Sequence, residues 1–226
     1  MKIALKSVPF FMLSIFILAS CSSQERGEEM AKNKNKSYAS PEEAANKGKS
    51  DLLEVLGTNM DIDLRIDPAK LKEAQLGKLV SYAELDFAKL LMTDSLATLS
   101  EIAAGEKSMI APYVAEGQVV TIIEVGKTSD GWSVTALANS DITNGLNQTG
   151  FVGAGEAKTV LYEVPNLNIF IYSITEDAKE QYYLNFEEFT LKQRVELSAF
   201  YPLMRKRAID FEKKFGDRIK SEKLVK

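Results

Sequence analysis

The 226-residue chain carries 28 basic and 32 acidic side chains, an acidic balance that argues against nucleic acid as a partner. It has no histidine and one cysteine, which excludes Ser-His-Asp and Cys-His catalysis, histidine-based zinc peptidase motifs and an internal disulfide. Acid–base chemistry would fall to carboxylates, lysine or tyrosine with displaced pKa values, and no S-x-x-K pair suggests a serine–lysine nucleophile.

Lys2 and Lys6 precede a nearly unbroken apolar run, Val8 to Ala19. A helix crossing the hydrocarbon core needs about 20 residues, so this run has the length of a signal-peptide hydrophobic region instead. Leu18-Ala19-Ser20-Cys21 resembles the lipobox of bacterial lipoproteins, with the chain's lone cysteine at the modified position. The resemblance implies that residues 1–20 are a signal peptide and that the Cys21 thiol receives diacylglycerol. Its new amino group is then acylated, palmitate being a usual donor chain. Each buried methylene contributes about 0.8 kcal/mol and one chain binds only marginally, so several chains make the anchor durable. Ser22, where inner-membrane members often carry Asp, implies the outer membrane of a Gram-negative bacterium. Loss of Lys2 and Lys6 leaves 26 basic against 32 acidic residues, a formal charge of −6.

Residues 21–39 are expected to be the lipidated, flexible tether, because their polar composition buries too little apolar area to offset ordering entropy. Residues 40–226 form a single domain. Ser40-Pro41-Glu42-Glu43 carries a capping box and starts a helix ending near Gly57. Met60 to Ile66 alternates like a half-wet strand, and Asp67-Pro68 caps a short helix through Ala74. Strands follow at 79–86, Met109–Val114 and Val119–Val125, with Asp130-Gly131 turning into Trp132–Leu137. Asn139 to Ala157, rich in Asn, Gly and Thr, breaks the pattern as a loop. Strands resume at Thr159–Val164, Ile169–Ile174 and Gln181–Phe186. Thr190 with Gln193 begins a helical region to about Lys220, which Pro202 should kink or divide. The fold class is α+β: an antiparallel meander sheet flanked on one side by an N-terminal helix and a C-terminal helical region.

Asp61, Asp63 and Asp67 fail as a calcium loop, since Arg65 and Ile66 stand where a ligand and a glycine are needed. Gly150, Gly153 and Gly155 lack the lysine and helix of a phosphate loop, and Glu156 would repel phosphate. No cofactor or metal is expected. The later strands are aromatic, and Tyr172, Tyr182 and Tyr183 are candidate contacts for a peptide or glycan, with Tyr182 and Tyr183 on opposite faces. Between Arg205 and Lys226, nine basic residues stand against four acidic ones. Arg205 and Arg207 are therefore candidates for an acidic partner or anionic headgroups. Thr93-Asp94-Ser95-Leu96 is similar to the O-glycosylation acceptor of Bacteroidetes, with Ser95 as acceptor. The resulting expectation is a membrane-anchored extracytoplasmic lipoprotein acting as a non-catalytic binding or interaction module. It is bound to lipid through acylated Cys21 and to an unidentified protein, peptide or glycan. The alternatives are a peptidase-inhibitor or pro-domain-like protein and a carboxylate-based hydrolase.

Overall fold

A computed structural model describes residues 36–58, 64–153, 157–177 and 179–221, with side chains to 216 except that of residue 153. Cys21, the lipobox and most of the expected tether lie outside the described residues.

Ordered pairing begins before the expected boundary at residue 40. Tyr38 and Trp132 exchange two backbone hydrogen bonds, of 2.8 and 2.9 Å. Helix α1, Pro41–Thr58, follows. The Ser40 hydroxyl accepts from the Glu43 N–H at 3.2 Å, and the Glu43 carboxylate accepts from the Ala39 N–H at 3.1 Å. Ala44, Ala45, Gly48 and Leu52 form its buried stripe. A Cβ on Gly48 would lie 2.6 Å from an Ile123 methyl, so glycine lets α1 sit close on the sheet. Helix α2, Pro68–Glu73, is capped by the Asp67 side chain, which accepts from the Ala69 N–H at 2.9 Å.

The alternation from Met60 to Ile66 does not make a strand where it is described. Arg65 has φ 54°, which breaks extended geometry, and the half-buried Leu64 and Ile66 pack on the core under α1. Met60 to Asp63 lie outside the described residues.

The sheet has eight strands: β1 Gln75–Leu76, β2 Val80–Leu85, β3 Ala103–Ala115, β4 Gln118–Thr128, β5 Gly131–Leu137, β6 Lys158–Val164, β7 Ile169–Glu176 and β8 Lys179–Leu184. Their order is β5-β4-β3-β2-β6-β7-β8, with β1 paired to β3. Every pairing is antiparallel except β2 with β6, where Tyr82 faces Leu161 and Glu84 faces Glu163. Two meanders are thus joined along one parallel seam.

Neighbouring strand residues point to opposite faces. Ala111, Tyr113, Ile123 and Val125 pack with Ala44, Ala45 and Leu52 of α1. Helix α3, Phe87–Met92, and the long helix α5, Leu197–Ser221, accompany the adjoining core of Ala83, Tyr162, Ile171, Tyr182 and Leu184, to which Phe200, Met204 and Ala208 contribute. On the other face Val80, Ile110, Ile122 and Leu161 pack with Ile142 and Leu146 of helix α4, Ser140–Gln148. Helices therefore cover both faces, not one.

α5 starts at Leu197 rather than Thr190. The Val195 N–H bonds the Tyr182 carbonyl at 2.9 Å, holding that segment as an extra bridge on β8. Pro202 falls inside one continuous helix, in its second turn, where it forfeits only the bond to the Ser198 carbonyl. Among the described residues no helix is long and apolar enough to cross a membrane.

Candidate functional site

The expected break at 139–157 contains α4. The Asn139 side-chain oxygen accepts from the Asp141 and Ile142 N–H groups at 3.0 and 3.1 Å, forming an N-cap. Ile142 and Leu146, one turn apart, bury against the sheet. Asn147 holds the helix to the start of β4, accepting from the Val119 N–H at 2.8 Å and donating to its carbonyl at 2.9 Å. Gly145 rests on the ring of Tyr172, which is 1 % exposed, and a Cβ there would overlap the tyrosine hydroxyl. A short 3₁₀ turn, Phe151–Gly153, continues the segment; Gly155 lies outside the described residues.

This segment contributes walls to two concavities. The smaller, about 360 Å³, lies where Asp141, Asn144 and Gln148 of α4 face the β7 side. Phe170 and Tyr172 of β7 line it, and Asn168, Asn185 and Leu191 complete it from the flanking turns. Asn144, Gln148, Asn168 and Asn185 are exposed.

The larger concavity, about 590 Å³, is bounded by Leu76 and Gly77 at β1, by Val114 and Gly117 at the β3–β4 turn, and by Phe151 and Val152 after α4. Thr159 also lines it. That residue is 5 % exposed, and its hydroxyl has no hydrogen-bond partner among the described residues. A buried hydroxyl without a partner is costly, which makes this a place where a ligand's polar atom would gain. Glu116, on the rim, is held by Lys70 at 2.9 Å.

A polar row also crosses the α4 face of the sheet. Tyr82 donates to Glu163 at 2.5 Å, and Lys107 donates to the same carboxylate oxygen at 2.9 Å while standing 3.9 Å from Glu84. The Ser108 hydroxyl donates to Glu124 at 2.7 Å. Burial pushes the Glu163 pKa up, but hydrogen bonds from Tyr82 and Lys107 outweigh it and hold the group below the ordinary carboxylate value. Burial and the bond to Glu163 push the Tyr82 phenol up. Glu163 is thus ionised and Tyr82 protonated near neutral pH. A fixed charge and a firmly held proton make this network suited to joining β2, β3 and β6, not to shuttling protons. Among the described residues no group of three or more Asp, Glu, His or Cys is arranged to hold a metal ion.

The residues nominated from sequence scatter. Tyr172 lines the smaller concavity; Tyr182 is buried on the opposite face and donates to Glu180 at 2.6 Å. Tyr183, half-buried, donates to the Gln181 side chain at 3.1 Å. The Arg205 guanidinium is engaged within the fold, donating to the Leu91 carbonyl at 3.1 Å and to Asp94 at 2.8 Å. Arg207 is exposed on α5, and Ser95 is exposed between α3 and β3. Sequence reasoning missed the four amides of the smaller concavity, because three segments distant in the chain supply them. A scan against protein-family models found no match, and neither the curated proteins nor the solved structures yielded one.

Proposed function

We propose that this chain is a lipid-anchored, extracytoplasmic binding module that holds a ligand without transforming it. The carrying observation is that α4 and the turn after it wall two concavities, of about 590 and 360 Å³, both within the range of ordinary ligand sites. Their linings mix apolar and aromatic surface with a few polar groups, the usual composition for recognition. The anchor rests on the lipobox-like Leu18-Ala19-Ser20-Cys21 and its lone cysteine. Several acyl chains at Cys21 would keep the domain at a bilayer surface.

Two measurements test the reading. Cells fed labelled palmitate should incorporate it into the wild type but not into Cys21→Ala, which should leave the membrane fraction; unlabelled wild type would remove the anchor. The purified chain should gain thermal stability with a bound compound that is recovered unchanged, and turnover of that compound would refute the non-catalytic assignment.

A further inference from the structure

We propose that the concavity between α4 and the β7–β8 end of the sheet binds a neutral sugar unit. The inference deepens the binding-module reading and rests on it, naming which concavity and which ligand chemistry.

Four side-chain amides ring the site. Asn144 and Gln148 come from α4, Asn168 from the turn before β7, and Asn185 from the turn after β8. They converge from three segments, and none is committed to a hydrogen bond among the described residues. A primary amide offers two donors and an acceptor on one plane, whereas a sugar hydroxyl both donates and accepts. A ring of amides therefore satisfies a ring of hydroxyls without setting the charge of the ligand. The floor supplies the complement. Phe170, half-buried above the buried Tyr172, gives apolar aromatic surface for the C–H face of a pyranose. Leu191 adds an apolar edge.

Charge narrows the class further. Among the described residues no Lys or Arg lines the concavity, and Asp141 is the one ionisable group on its rim, with the Tyr172 phenol below. An anionic ligand would meet that carboxylate with no cation to offset it, so phosphate, carboxylate and sulfate groups are disfavoured. A volume near 360 Å³ sits at the small end of ligand sites, suited to a terminal sugar or a short unit of a chain. Gly145, which also lines the concavity, lets the helix sit low over Tyr172.

The test uses the full mature chain, solubilised in detergent, on an array of glucose-, galactose-, mannose- and N-acetylglucosamine-terminated oligosaccharides with sialylated and sulfated counterparts. The retained sugar is then titrated calorimetrically. Neutral members should be retained in preference to anionic ones. Asn144→Ala combined with Asn185→Ala, both on exposed surface, should weaken the affinity at least tenfold, and Phe170→Leu, which keeps an apolar core, should do the same. Unchanged thermal transitions would show that these variants fold. Retention of no neutral sugar, or preference for anionic ones, overturns the inference. So does a neutral sugar held equally by the variants, although the binding-module reading then survives. Release of a cleaved sugar would instead remove that reading and leave the site assignment standing.

Discussion

Glu163 carries its charge half out of water, and two donors make that possible. Lys107 reaches it at 2.9 Å with its ammonium over the Tyr82 ring, 5.0 Å from the centroid. Because the folded-state pKa is depressed, the associated stability is present above the ordinary carboxylate value and is lost as pH falls through the lowered one. Lys107→Met keeps the apolar stem and removes the donor. At pH 7 it should cost about 1 kcal/mol, or 2–4 °C in Tm, since the pair is partly exposed. The gap between variant and wild type should close as pH falls through the lowered Glu163 value, below which the group is protonated in both. A gap of constant size through that fall would show that the loss is packing alone. Arg205 illustrates the same scale differently. Its charge looks available in sequence, yet its guanidinium fastens the C-terminal end of α3, satisfying the Leu91 carbonyl that the helix leaves without a partner.

At the scale of elements, α4 shows where sequence reading stops. Strands β4 to β8 were legible because long apolar or alternating runs sit between Gly, Asn and Asp turns. Glu116 and Gly117, both at positive φ, make the two-residue β3–β4 turn. Ser140 to Gln148 instead offers only Ile142 and Leu146 as apolar helix positions, embedded among Asn, Thr and Gly residues of weak helix propensity. Tertiary packing decides the matter: the Asn139 cap, the Asn147 clasp on Val119 and the seat of Gly145 on Tyr172. The site inherits that opacity, since only Tyr172 among its lining was foreseen. Gly145→Ala tests the packing account. Propensity alone favours alanine by about 1 kcal/mol in a helix interior. At 145 the overlap with Tyr172 should reverse the sign, for a net loss of about 1–2 kcal/mol and 3–6 °C in Tm. Adding Tyr172→Phe should recover part of it. A stabilised Gly145→Ala would mean that α4 does not lie against the ring.

Across the whole molecule, the parallel seam between β2 and β6 decides whether two meanders behave as one body. The first meander, β2 to β5, and the second, β6 to β8, touch in the sheet only through that pairing. Below the sheet the division disappears. The core under α4 takes Val80, Tyr82 and Ile110 from the first meander and Leu161 and Tyr172 from the second. The core under α5 joins Ala83 and Leu85 to Tyr162, Val164 and Ile171. Unfolding either meander alone would expose the apolar face of the other in both layers, so intermediates should be suppressed. No disulfide contributes, since the chain has one cysteine, and the transition should be indifferent to reductant. Calorimetry of the region from Ser37 onward should therefore give a single transition with equal calorimetric and van't Hoff enthalpies. At about 0.7 kcal/mol per residue near 60 °C, its roughly 190 residues should absorb about 130 kcal/mol. Ala83→Asp, which places a carboxylate in the seam where Ala83 faces Tyr162, should lower Tm while keeping that single transition. Two resolved peaks, with only one displaced by the substitution, would show that the cores do not bind the meanders together.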